Sequence, residues 1–582
     1  MKTIITTQKS HQAGNALVLT MVMLGVALAI LAGVMSWSST STRLTYRSIQ
    51  YTRSEAAAEA ATEKVVSQIS HDFLYYGNAT VANNLNNYKT MVPSSVDSTY
   101  WSTWQFNDAS GNPGRTYVQP GASISYTYVD PPYSNLQAYV SIYNVVSDAK
   151  DTASPQDLTV GVLQQLQLQS IPVFQYMMFS SGNMEISCGQ PFDITGPVHA
   201  NGYLYIEPDS SMTFESDVGA HLGVLEQRDP LDPRGSPSGL PAAYVESPTQ
   251  PQSGVPFMTL PIGTTNTPVG IREIIEPPPS TEDPASALGR LRYYNESEMI
   301  VTVSDSGVTA QSGVNIFPVA TIPTNELATF VTTTNSFYDA REGKTVQPID
   351  LNIGNLAAWS LTNTSLRYSI GGSNLILNSV YVLDTRTTTT LGAVRLSNGA
   401  QLPTNGLTVA TARPLYVQGD YNSDSATRGT ADTSATRPAS LVGDAITILS
   451  DSWSDARSTS AVGSRVASST TVNAAFLTGV VETTAAHYSG GMENFPRFLE
   501  TWGLANVFTY NGSMVKMFPS LYATNAWNNN NNIYSPPKRN WAYDVNFDNK
   551  LKQPPWTPSF YTVTRHQWAT VPPGQNVAPV VP

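Results

Sequence analysis

A chain of 582 residues, 41% of them hydrophobic, has apolar surface enough for a sizeable buried core and is not a disordered polymer. Only 13% is charged and the formal net charge is -12, which argues against general affinity for nucleic acid, because phosphates need a positive surface. Cys188 stands alone, so no intramolecular disulfide staples the fold, and it reads most simply as a small buried hydrophobe.

A basic leader, residues 1–14, carries Lys2 and Lys9, and after Lys9 no charged residue follows until Arg43. Inside that window residues 16–37 (ALVLTMVMLGVALAILAGVMSW) are apolar apart from Thr20 and Ser36. About 20 apolar residues rising ~1.5 Å each cover a ~30 Å hydrocarbon core, so the stretch predicts one membrane-spanning helix. A cleavable secretory signal would have an apolar run of roughly 7–15 residues and a small-x-small site; this run is longer and lacks a convincing one. Charge leaves the orientation open, because Arg43, Arg47 and Arg53 follow the span. Gly25, Ala29 and Gly33, four apart, share one face, either as a seat for a neighbouring helix or because small residues are common in spans. Helix formers continue in SEAAAEAATEKVVSQIS, with Ala58, Ala61, Val65 and Ile69 on one face and Glu55, Glu59 and Glu63 on another. Residues 15–72 are therefore expected as one rod, of about 80 Å between 16 and 69, half in lipid and half beyond it.

This N-terminus resembles that of type IV pilins, and most of all the minor pilins of the PilX type, whose pattern is matched by Gly14, Ala16, Leu17 and Val18. The resemblance implies cleavage after Gly14 by a prepilin peptidase, leaving Asn15 as the mature N-terminus. It also implies a single-pass inner-membrane anchor with the large C-terminal part periplasmic or at the cell surface. The partners it implies are the membrane, other pilins or pseudopilins, and the filament assembly machinery. Major pilins carry Glu at the fifth mature position, where it pairs with a neighbouring subunit's N-terminus; Leu19 stands there. A carboxylate in lipid is worth its desolvation only with such a partner, so Leu19 fits a low-copy or tip subunit, as in large pseudopilins of type II secretion systems.

Beyond the helix, the fold class expected is mainly β. Residues 73–170 (ISYTYVD, QAYVSIYNVV, LTVGVLQQLQLQ between turn-rich segments) suggest an antiparallel meander. Residues 171–225 break into very short β segments, with Ile194/Val198, Leu204/Ile206 and Met212/Phe214 pointing inward, as rungs of a β-solenoid would; no strict period is visible, and a jelly-roll-like β-sandwich is the alternative. Residues 226–295 are a Pro-rich excursion (DPLDPRGSPSGLP, EPPPSTEDP) through which no regular sheet continues. Strand patterns resume over 296–520, with a helix expected in TNELATFVTTTNSFYDAREGK, capped by Thr324 or Asn325. This part resembles the β-helical exported regions of large PilX-type proteins in its IPVFQY, GPVHANG, YVQGDYN and DAITILS segments. Residues 521–582, rich in Asn, Pro and Trp, are expected as irregular coil.

Chemistry-bearing motifs are sparse. The six histidines, His11, His71, His199, His221, His487 and His566, show no HxxxH and there is no CxxC, so no metal or other cofactor is expected. EGKT (342–345) matches the end of a phosphate loop, but Tyr338 stands where its first Gly belongs. SPPK (535–538) lies in Pro-rich coil that does not bring Lys to Ser. Asp420, Asn422 and Asp424 alternate as in a calcium loop, without its Gly and its bidentate Glu. Asp444, Asp451 and Asp455 are the carboxylates a polysaccharide-active β-solenoid enzyme would use. The main expectation is a non-enzymatic assembly subunit, with a cell-surface adhesin on the same anchor as the alternative.

Overall fold

The computed structural model describes residues 13–577 except 122–123, 130–134, 235–238, 246–249, 317, 364–365, 368–375, 388–389, 528–531 and 576. The leader lies almost wholly outside the described residues. The chain is mainly β with a long N-terminal helix, α1 (Ala13–Tyr76), 64 residues and so about 95 Å long. No Gly or Pro interrupts it after Gly33, and it stops where Gly77 turns to φ 84 and donates its N–H to the Phe73 carbonyl at 2.9 Å.

The second half of α1 lies on an antiparallel sheet. Its strands are β1 (Trp104–Asn107), β2 (Tyr117–Pro120), β3 (Ser125–Tyr128), β4 (Gln137–Asp151) and β5 (Thr159–Pro172). β4 carries β1, β2 and β3 along one edge and β5 along the other. Ala58, Ala61, Val65 and Ile69 are all buried, joined by Ala57, Val66 and Phe73, against Trp104, Tyr143, Val145, Leu166 and Leu168. The small Ala57–Ala58–Ala61 patch lets the helix approach the sheet closely near β1, and the larger residues fill the space farther along. Between helix and β1 the chain makes short helical turns, Asn78–Asn83, Leu85–Tyr88 and Thr99–Thr103, so the meander starts later than residue 73.

The sheet is completed from the far end of the chain. Ser559–Val571 pairs antiparallel with β5 over its whole length, with one irregularity between Arg565 and Gln567. Tyr561 stacks on Phe73 of α1 at 4.6 Å, and Arg565 forms an ion pair with Glu63. This corrects the expectation of an irregular tail over 521–582: the Pro- and Asn-rich text before it hides a thirteen-residue strand, and Lys538–Tyr543 is a strand as well. It also moves Glu63 from a solvent-facing stripe to a clasp, where Gln164 Nε2 donates to it at 2.8 Å.

From Met178 onward the pairing changes to parallel. Met178–Ser180, Val198–Ala200 and Val218–Ala220 stack side by side in one sheet, Met184–Ile186, Tyr203–Ile206 and Gly223–Leu225 in a second, and Phe192–Ile194, Met212–Phe214 and Ala243–Tyr244 in a third. The partners Met178, Val198 and Val218 are spaced by 20 residues (178, 198, 218), a period that was not visible in the sequence. Gly202 repeats Gly182, and a Cβ on Gly202 would meet the Asn183 side chain at 2.3 Å and the Gly182 backbone at 2.7 Å. Residues 379–543 pass through similar parallel sheets, but loops of unequal length separate the passes and erase any period.

The two parallel regions form one stack in a changed order. Met514–Lys516 pairs with Met178–Ser180, so the first passes of the chain continue from the last ones. The Pro-rich excursion runs back to the other end, where Met299–Ser304 pairs in parallel with Ser379–Asp384 and closes a hairpin with Gly307–Ser312. One twelve-stranded sheet and one continuous core therefore cover both 171–225 and 296–520. The helix expected from residue 324 lasts only Thr324–Leu327, with Pro323 at its cap position, before giving way to strands Val331–Thr332, Phe337–Asp339 and Lys344–Asn352. The β-branched VTTT run explains the failure. The longer helix is Ile353–Thr362, capped by Asn352, whose Oδ1 accepts from the Asn355 N–H at 3.0 Å.

At one edge of the stack, asparagines bind the passes together. Asn422 Nδ2 donates to the Asn473 carbonyl and Asn473 Nδ2 to the Asn422 carbonyl, each at 2.8 Å, and Asn511 Nδ2 donates to Asn473 Oδ1 at 2.8 Å. All three are buried. Asn473→Ala would leave the Asn422 carbonyl without its donor and take one of two acceptors from the Asn511 amide, which keeps the Thr430 carbonyl at 2.9 Å, and is expected to destabilise by about 1–3 kcal/mol, the cost of a buried unpaired polar group. Hydrogen exchange across 470–512 should quicken in this variant; unchanged protection would show that the ladder contributes no stability.

Candidate functional site

The first half of α1 presents the largest apolar surface without a partner in the chain. Every residue from 15 to 49 is exposed, with Leu19 at 61% and Trp37 at 74%. Thr20 turns its hydroxyl onto the Ala16 and Leu17 carbonyls at 3.0 and 2.9 Å, and Thr40 and Thr45 do the same one turn back, so hydroxyl groups here are satisfied within the helix. The segment is long and apolar enough to cross a membrane. Nothing lies within 4 Å of a Cβ built on Gly25 or Gly33, which leaves the Gly25–Ala29–Gly33 stripe uncovered by this chain. Gly14 is in the first described turn of α1 and Asn15 follows it, exposed. A water-exposed apolar face this large is costly at ~25 cal/mol per Å², so it has to be covered by lipid or by other helices.

The other predicted residues are not brought together into a site. Asp420 accepts from Arg428 Nε at 2.5 Å and from the Thr471 N–H at 2.8 Å, Asn422 belongs to the buried ladder, and Asp424 closes a turn by accepting from the Ala426 N–H at 2.7 Å. The calcium candidate therefore fails: its members are spent on separate structural bonds, with Asn422 at φ 54 turning the chain into the stack. Among the described residues no group of three or more His, Cys, Asp or Glu is placed to hold one metal ion. Asp444 is fully buried, with Arg272 Nη1 at 2.7 Å and the N–H groups of Leu521, Tyr522 and Ala523 at 2.6–3.0 Å. Asp455 accepts from Arg395 Nη1 at 2.6 Å and Trp453 Nε1 at 2.8 Å. Two of the three acids considered for polysaccharide chemistry are thus tied to structural arginines. Asp451 is exposed, its pKa raised by partial burial and by the nearby Asp420.

EGKT forms the turn between Phe337–Asp339 and Lys344–Asn352, with Gly343 at φ 63 and Glu342 buried against Arg497 at 2.7 Å. Ser535 Oγ accepts from the Gly503 N–H at 3.2 Å, and Lys538 starts a strand. Cys188 is buried, and burial, with the neighbouring Glu493 charge, pushes its thiol up to about 12. What sequence reasoning missed is a cavity of about 610 Å³ assembled from distant parts of the chain, with Gln190, Asp209, Arg228, Tyr488, Trp527 and Arg539 among its lining residues.

No family model matches the chain, and no curated protein matches it. Among solved structures, the chain matches the competence-associated pilin ComZ from Thermus thermophilus at 11% identity, over 88% of this chain and 97% of that one. The TM-score is 0.28, and a superposition that loose carries no argument about fold or function.

His199 gives the parallel stack a pH signature. It lies wholly buried, its ring stacked on Phe179 at 5.4 Å and its Nε2 2.9 Å from Asn201 Oδ1. Burial, reinforced by nearby His221, pushes its pKa down to about 4. The unfolded chain protonates this ring below about 6.5 while the folded chain resists until about 4, so the contribution to stability is lost as pH falls across that window, by roughly 3 kcal/mol in all. Glu185 and Glu298, pushed up to about 7 by burial, act in the opposite sense and favour the folded state at low pH. Comparing wild type with His199→Gln isolates the histidine: the variant should lose less stability between pH 6.5 and 4, and parallel curves would refute the assignment.

Proposed function

We propose that this protein is a minor pilin-like or pseudopilin-like structural subunit of a type IV pilus or type II secretion-like filament, placed at the tip or in low copy. The observation that carries the reading is the division of α1. Its first half is apolar and uncovered, while its second half is the spine of an antiparallel head, so one rigid element joins a lipid or filament environment to an exported body. Gly14, Ala16, Leu17 and Val18 support cleavage by a prepilin peptidase, and Leu19 favours a position that does not need the usual N-terminal carboxylate. Bulk points the same way, because a head of roughly 500 residues repeated around a thin filament would clash with itself.

The parallel region we read as a β-solenoid, on the strength of its 20-residue spacing and stacked strands. Its role in this reading is display, and the buried ion pairs of Asp444 and Asp455 support structure over catalysis. An adhesive function on the same anchor is the second reading, favoured by the cavity at one edge of the stack.

N-terminal sequencing of protein purified from membranes should give Asn15 as the first residue, and Gly14→Val should leave the leader attached. A start at Met1, or beyond Trp37, would overturn the assembly reading. Deleting the gene should abolish filaments or secretion; intact filaments with lost attachment would support adhesion instead.

A further inference from the structure

The cavity of about 610 Å³ falls within the range of small-molecule sites (~300–1,000 Å³) and sits where the first parallel passes, the Pro-rich excursion and the C-terminal region meet. Three arginines line it, and two are neutralised. Arg228 Nη2 donates to Asp209 at 3.1 Å, and Arg234 grips Asp232 with Nη2 at 2.7 Å and Nε at 3.1 Å while stacking on Tyr488. Arg539 differs. Its Nη2 donates to Asn494 Oδ1 at 3.2 Å, and among the described residues its buried Nε–H has no acceptor and no carboxylate forms an ion pair with it.

The surrounding groups offset that charge only in part. Glu493 acts on Arg539 through space without an ion-pair contact; it is buried, accepts from Tyr488 Oη at 3.0 Å and the Ser187 N–H at 3.3 Å, and burial raises its pKa against the pull of Arg539. Trp527 stands partly exposed, held edge-on by its Nε1 bond to Tyr534 Oη at 2.9 Å, and Tyr534 in turn donates to Asn494 Oδ1 at 3.0 Å. Those bonds fix the indole, Gly490 packs closely against it and Tyr488 meets it edge-to-face at 5.5 Å, and the part of the ring that stays exposed lines the cavity. The partly exposed Gln190 amide adds a donor and an acceptor to the same cavity.

A half-buried guanidinium with no described carboxylate in ion-pair contact has donors left over for an anion, and a carboxylate matches its planar fork. An indole face beside amide groups suits a ring that is apolar on one side and hydroxylated at its rim. We infer that this cavity binds a carboxylated saccharide, its carboxylate on Arg539, its ring on Trp527 and its hydroxyls toward Gln190. The inference goes beyond the assembly reading and does not depend on it.

The test uses the full-length protein in detergent, titrated with trigalacturonate, with uncharged maltotriose and inorganic phosphate as comparison probes, by calorimetry and tryptophan fluorescence. Trigalacturonate should bind at millimolar concentration or below, at least tenfold more tightly than either comparison probe. Arg539→Gln should weaken it tenfold or more, Arg539→Lys less, and Trp527→Ala should weaken it while abolishing the fluorescence change. If Arg539→Gln does not fold, Trp527→Ala, at a partly exposed ring, carries the test. No binding, equal binding of maltotriose, equal binding of phosphate, or indifference to both substitutions overturns the inference. A mature N-terminus at Asn15 together with no saccharide binding would sink this inference alone and leave the assembly reading standing.

Discussion

The parallel pairing of Met178–Ser180 with Met514–Lys516 is the joint on which the architecture depends. Without it the chain would hold two short stacks, each with an open end of unpaired backbone and exposed apolar side chains. With it, Phe179, His199, Met514, Phe476 and Tyr510 belong to one core, and the Pro-rich excursion serves to carry the chain from one end of the stack to the other. The closing strand and the cavity are both products of that return, because each is made of segments hundreds of residues apart.

Much of this was legible in the residues. The 3.6-residue spacing of Ala58, Ala61, Val65 and Ile69 marked the buried face of α1, and the inward pairs from Ile194 to Phe214 are all buried. The 20-residue spacing was harder to read because stacked positions mostly conserve shape and not identity: Met178 sits beside Val198, and Gly182/Gly202, Ile186/Ile206, Val198/Val218 and Ala200/Ala220 repeat as letters in one step each and not in all three passes. The asparagine ladder carried a faint signal in YNS, VNA and YNG, but its members lie 51 and 38 residues apart, beyond any local pattern. Ser559–Val571 was hidden for another reason. Its strand pattern is clear, but its partner β5 lies nearly four hundred residues earlier, and edge pairing leaves no trace in local composition.

The acids and arginines show how a chain with few charges uses them. Arg272 with Asp444, Arg395 with Asp455, and Arg497 with Glu342 each tie a loop or turn to a neighbouring element, while Arg395 also meets Asp350 directly opposite it on the adjacent strand. Such pairs gain little net stability once desolvation is counted, but breaking one leaves a buried charge alone, so they fix which loops meet. Acidic residues close in sequence, such as Asp444, Asp451 and Asp455, are therefore distributed to different neighbours and do not converge. Arg341, Arg465 and Arg539 have no carboxylate in ion-pair contact among the described residues, and Arg539 is the one of the three that lines the 610 Å³ cavity.

The meeting of α1 with the last strand has a consequence in time. A chain emerging from its N-terminus can form the helix and β1 to β5 early, but the outer edge of β5, the ring that stacks on Phe73 and the cation that holds Glu63 all arrive within residues 559–571. The head is thus sealed only when nearly the whole polypeptide is available to fold. A shortened product would carry the same helix with an unfinished edge, so the seat of α1 reports whether the last strand has arrived.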